Sequence, residues 1–212
     1  MSDRSILVCF ALPDEARFFK HTAAAEAVRI LIHGIGKQNA ECSIRAAIAT
    51  SKPDLVLTCG FAGGLKPQFD YGEVLFATND NPELRNRLSA AGARAGTFHC
   101  ADSIAVTAEE KRALWRHTGA DAVEMESGII HVVCREQNIP CATVRVISDI
   151  ADDDLPLDFN ALAKPDQSLD FGKLAFAIAK SPGKIPALIR LGRQTSTAAK
   201  KLAEVLQKII AA

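Results

Sequence analysis

The chain has 212 residues, 48% of them hydrophobic, and its 25 lysines and arginines are balanced by 25 aspartates and glutamates. That length and apolar content suit one domain, 1–212, with a substantial core, and argue against two independent ones. Without net charge there is no global bias toward nucleic acid or an anionic surface, so the expected partner is a small molecule.

Residues 6–12 form a short apolar run ended by Pro13, which predicts a buried strand and then a helix whose first turn is Pro13-Asp14-Glu15. A second strand is predicted over 28–32. Gly34-Ile35-Gly36 then turns the chain into a helical pattern over 37–50, and Pro53 precedes a strand over 55–59. Gly60-Phe61-Ala62-Gly63-Gly64 reads as a glycine-rich turn. Beyond it, 74–77 and 97–100 look extended, 108–117 and 127–137 helical, and 142–147 is a last buried strand. From 171 to 212 the pattern is helical, broken around Ser181-Pro182-Gly183-Lys184. This alternation predicts an α/β three-layer sandwich with a central, mostly parallel mixed sheet and a ligand site at the C-terminal ends of strands.

Cys9, Cys42, Cys59, Cys100, Cys134 and Cys141 are scattered without a C-x-x-C pair, and most lie in apolar runs, so they read as reduced, buried thiols. His21, His33, His99, His117 and His131 show no H-x-x-x-H spacing, so no metal and no cofactor are expected. Gly34-Ile35-Gly36 lacks the third glycine of a dinucleotide fingerprint, and no G-x-S-x-G elbow is present. No segment approaches about 18 consecutive apolar residues, and no apolar leader with a cleavage site opens the chain, so a cytoplasmic protein without membrane insertion is expected.

Glu15, Glu124, Glu126 and Asp149 stand just after predicted strands or at helix starts. A carboxylate at a helix N-terminus is favoured in its ionised form and can accept hydrogen bonds from sugar hydroxyls; acidic first-turn residues and a helix cap account for the same spacing. Two of these positions lie in longer signatures. Val123-Glu124-Met125-Glu126-Ser127 resembles the V-E-M-E segment of the methylthioadenosine/S-adenosylhomocysteine nucleosidases and related phosphorylases, and Arg145-Val146-Ile147-Ser148-Asp149-Ile150-Ala151-Asp152 resembles their R-x-I-S-D-x-A-D segment. Ala11-Leu12-Pro13-Asp14-Glu15, Gly34-Ile35-Gly36-Lys37 and Cys59-Gly60-Phe61-Ala62-Gly63-Gly64-Leu65 follow the same family in order, so the resemblance spans 6–152. The stretch 11–17 is also similar to the hopanoid-associated phosphorylase-like branch.

The resemblance implies a phosphorylase/hydrolase-like fold, cleavage of a purine nucleoside, and a homodimer or higher homo-oligomer. By position, Glu15 is then the base that activates water, Glu126 binds the ribose hydroxyls, and Asp149 handles a proton at purine N7, with Ser148 orienting it and Met125 packing on the sugar. Glu124, Phe61, Ala62, Gly63 and Ile104 complete the implied substrate site. Burial or the neighbouring Asp152, Asp153 and Asp154 would favour a protonated Asp149. Ile104 stands where the nucleosidases carry a stacking aromatic, Phe61 where they carry a small residue, Ala77 for a serine and Glu73 for an aspartate. Phosphorolysis stays open, with Lys37 and Arg45 as candidate phosphate contacts, and so does a nucleoside-binding role without catalysis.

Overall fold

The computed structural model describes residues 5–19, 28–78, 81–164 and 170–211; His21, Ala212 and part of the 77–97 connection lie outside them. In chain order the strands are β1 (Ile6–Phe10), β2 (Val28–Ile32), β3 (Leu55–Gly64), β4 (Val74–Thr78), β5 (Arg94–Ala95), β6 (Phe98–Cys100), β7 (Ala122–Glu124) and β8 (Cys141–Asp149). The helices are α1 (Lys37–Thr50), α2 (Pro82–Ala90), α3 (Ala108–Thr118), α4 (Ser127–Glu136), α5 (Phe171–Lys180) and α6 (Ile185–Ala211), with a single 3-10 turn, Pro182–Lys184, between the last two.

One sheet runs in the order β2-β1-β3-β8-β4-β5, and β7 carries β6 on the far end of β3. Pairing is parallel except where β4 meets β8 and β7 meets β3. The sheet is therefore mixed and mostly parallel, as the alternating pattern predicts. Strand periodicity divides β1 between two cores. Leu7 and Cys9 pack with Ile44 and Ala40 of α1 and with Ile130 and Val133 of α4. Ile6, Val8 and Phe10 face Leu202, Leu206 and Ile209 of α6 and Leu84 and Leu88 of α2. Helices thus cover both faces, giving three layers.

Several elements depart from the sequence reading. Residues 60–64 are not a turn but the second half of β3, held by Phe61 opposite Val146 of β8 and by Gly63 opposite Val123 of β7. Glycines lower strand propensity, yet pairing on both edges decides the conformation here. Residues 13–19 form turns rather than a helix. Helix α2 is an addition, started by Asn81, whose side chain accepts from the Leu84 amide, with Pro82 in the first turn. Cys42 is exposed on α1, while Cys9, Cys59, Cys134 and Cys141 are buried.

Candidate active site

The C-terminal ends of β1, β3, β7 and β8 converge beneath α6 and enclose a cavity of about 570 Å³. All ten residues singled out above border it: Glu15, Phe61, Ala62, Gly63, Ile104, Glu124, Met125, Glu126, Ser148 and Asp149. Chain segments far apart in sequence meet because β1, β3 and β8 are parallel and end on the same side, while β7, antiparallel to β3, pairs with its last residues.

Glu15 follows β1 and is 4% exposed. One carboxylate oxygen accepts from the Phe61 amide at 2.8 Å and the other from the Leu12 amide at 2.8 Å. Burial pushes its carboxyl up to about 7, against the opposing pull of Arg145 and these two amides. Gly60 makes this placement possible: at φ +149 a side chain there would collide with both Glu15 and Arg145.

Arg145 stands behind the carboxylates and is 1% exposed. Its guanidinium donates to Glu124 at 2.7 Å and to the Cys59 carbonyl at 3.0 Å, and lies 3.6 Å from Glu126. Burial works against its charge, but Glu124, Glu126 and Glu15 together outweigh that and hold it firmly protonated. Glu124 is bound on both oxygens, by Arg145, by the amides of Glu126 and Ser127, and by the Ser127 hydroxyl at 2.7 Å. Burial would raise its pKa; Arg145 and these donors outweigh it, so the net shift is downward.

Glu126 is less committed. It takes the Gly36 amide at 2.9 Å, from the turn that starts α1, and burial raises its pKa despite Arg145. Glu126 lines the cavity, and its carboxylate, with fewer donors than Glu124, keeps acceptor capacity.

Asp149 ends β8. One oxygen accepts from the Ser148 hydroxyl at 2.8 Å, and the other contacts the Lys111 ammonium at 2.5 Å. Asp154 accepts from the Ala108 amide at 2.7 Å and caps α3, and the charged group against Asp149 is a lysine, not a carboxylate. Lys111 is fully buried, and its remaining protons go to the carbonyls of Ile150 and Asp153 at 2.8 and 2.9 Å. Its helix is fixed at its start by a reciprocal capping box between Thr107 and Glu110.

Neither Lys37 nor Arg45 reaches the cavity. Lys37 pairs with Asp102 on the surface, and Arg45 with Glu41 and Glu136. His33 is buried, donating from Nδ1 to the Gly34 carbonyl at 2.7 Å, with burial pushing its pKa down to about 4. Among the described residues no cluster of histidines, cysteines and acids has the arrangement of a metal site. Lys111 and Arg145 were not nominated from sequence. Arg145 sits inside a quoted motif, whereas a lysine in the first turns of a polar helix reads as solvent-facing.

The family model described as the phosphorylase superfamily matches residues 9–87 and 80–179. The chain belongs to the phosphorylase superfamily. Among phosphorylase-superfamily relatives, a 5'-methylthioadenosine/S-adenosylhomocysteine nucleosidase of Staphylococcus aureus is 26% identical over 178 residues, covering 68% of this chain and 78% of that protein. The superfamily fold recurs in a Colwellia psychrerythraea nucleosidase of the same name in complex with adenine, with a TM-score of 0.72, 17% identity, and 98% and 95% of the two chains covered. It recurs also in the futalosine hydrolase of Helicobacter pylori, with a TM-score of 0.69, 17% identity, and 96% and 97% covered.

Proposed function

We propose that this chain is a purine nucleosidase that hydrolyses the N-glycosidic bond of an adenosine-type nucleoside bearing a 5' substituent. The observation that carries the choice of water over phosphate is the charge of the cavity. Asp14, Glu15, Glu124, Glu126 and Asp149 line it, against Arg17 as the one lining cation among the described residues. A phosphate dianion placed among those carboxylates would be repelled, whereas a water molecule is activated by them.

The roles follow from the charges that develop as the bond breaks. The sugar gains positive character, which Glu126 and Glu15 stabilise, and the departing base gains negative character. Glu126 accepts hydrogen bonds from the ribose hydroxyls. A proton passes to purine N7 from the Asp149 side, drawn from the Lys111–Asp149 pair, and the C–N electron pair leaves with the base. Glu15, ionised, takes a proton from water as the water oxygen bonds to the anomeric carbon. The products are free base and a 5'-substituted ribose. Glu124 braces Arg145, which holds the carboxylates in place. Phe61, Ala62, Gly63, Ile104 and Met125 form the apolar walls for base and sugar.

The nucleosidase relatives named above support this reading, and the cavity lining bears on the 5' group. Leu155, Phe159, Leu188 and Leu191 add apolar surface to it, which suits methylthio or larger apolar 5' substituents.

Base release from adenosine, methylthioadenosine and inosine, with and without phosphate, tests the proposal, with Asp149→Asn as control. Adenine release that ignores phosphate and is lost in the variant is the expected result. Strict phosphate dependence would make the chain a phosphorylase, and nucleoside binding without base release under either condition would make it a binding protein.

A further inference from the structure

The overall neutrality of the chain conceals a local imbalance. Residues 171–203 contain seven lysines and arginines and no aspartate or glutamate, so the remainder carries seven more acids than bases. This cationic stretch forms α5, the 3-10 turn and the first part of α6.

Helix α5 is rich in apolar residues, yet none of them is buried. Phe171 is 74% exposed and Phe176 69%; on α6, Ile189 is 52% exposed and Ile185 41%. With about 3.6 residues per turn, Phe171, Ala175, Ala179 and Phe176 follow one another around the outward arc of α5. Leu174 and Ile178 take the half-buried side. Lys180, Lys184, Arg190 and Arg193 are exposed beside these apolar groups and form no ion pair with any described residue. Lys173, at the edge of the patch, donates to the carbonyls of Ala161 and Ala163.

An outward face that joins exposed rings and branched chains to unpaired cations, with no acid among them, has the chemistry of an interfacial helix. Its apolar groups enter the acyl boundary while its cations stay with anionic headgroups. A second copy of the chain fits this face less well, because a two-fold contact would set each cationic patch against its equal. No described helix is long and apolar enough to cross a membrane. We propose that the α5–α6 face docks the protein on the surface of an anionic phospholipid bilayer without crossing it.

Flotation of the full chain with vesicles tests this, using phosphatidylcholine alone and an equal mixture with phosphatidylglycerol. The expected result is flotation with the mixed vesicles only, reversed by high salt. Two variants are compared, Phe171→Ser with Phe176→Ser, and Lys180→Glu with Lys184→Glu and Arg190→Glu. Each should lower partitioning about tenfold or more. All five positions lie outside the cavity and face solvent, so the melting temperature should stay near wild type in both variants. Absence of flotation with anionic vesicles, or flotation unchanged in both variants, overturns the proposal. So does a vesicle-free dimer, seen by sedimentation, that dissociates in the double serine variant while the wild type ignores vesicles; that outcome assigns the face to a second copy.

Discussion

In the proposed hydrolysis, Glu15 places catalysis and stability in opposition. As a base it works ionised, so base release should climb as pH rises through about 7. Its folded pKa lies above the ordinary carboxylate value, so its contribution to stability is fully present below about pH 4.5 and is lost as pH rises through about 7. Melting curves between about pH 5 and about pH 8 should therefore fall more steeply for wild type than for Glu15→Gln, while that variant loses about 10²–10⁴-fold in base release. Lys111 sets a second test. Breaking a buried pair leaves its partner's charge uncompensated, so Asp149→Asn, which strands the fully buried Lys111 ammonium, should cost about 3–5 kcal/mol of stability, and Lys111→Met, which strands an aspartate at the cavity wall, less. The double variant should be less destabilised than the sum of the two, as denaturant titrations would show. A proton-positioning role for Lys111 further requires that its conservative replacement, Lys111→Arg, alter the pH profile of base release and not the melting temperature alone. That the ten candidate residues border one cavity was foreshadowed, for all but Ile104, by their place in segments that resemble the family. Lys111 was not, since nothing in Ala108-Glu109-Glu110-Lys111-Arg112 tells which charge turns inward until α3 is docked by Asp154.

At the scale of elements, β3 shows how a glycine-rich segment can be an ordered strand. Gly60 is the point where Glu15 and Arg145 cross the strand, and any side chain there meets both. Gly60→Ala should therefore depress the melting temperature sharply and abolish base release even in whatever protein remains folded, measured by thermal melting beside the activity assay. Helices α1, α3, α4 and the α5–α6 break were readable from period and punctuation. Strand β7, three residues long, was not, because so short a run has no periodicity and exists through its pairing with β3 and β6. Helix α2 did carry a signal, Asn81-Pro82-Glu83, an N-cap followed by proline and an acid.

For the molecule as a whole, protection is unevenly distributed. Strand β8, most of β3 and the inward side of the second half of α6 are buried, whereas no residue of α5 is fully buried. Hydrogen exchange followed by mass spectrometry should find the α5 amides exchanging first, and trypsin should nick the free protein at Lys180 or Lys184 before the sheet is attacked. Helix α6 spans this divide. It is 27 residues long, about 40 Å, with Leu202, Leu206 and Ile209 set in the core, Leu188 and Leu191 against the cavity, and Ile185 and Ile189 turned outward. One rod therefore borders both the cavity and the outer face. If filling the cavity shifts α6, the factor by which substrate changes affinity at the outer face must equal the factor by which occupation of that face changes substrate affinity. Reciprocal titrations would read that single coupling constant from either end of the helix.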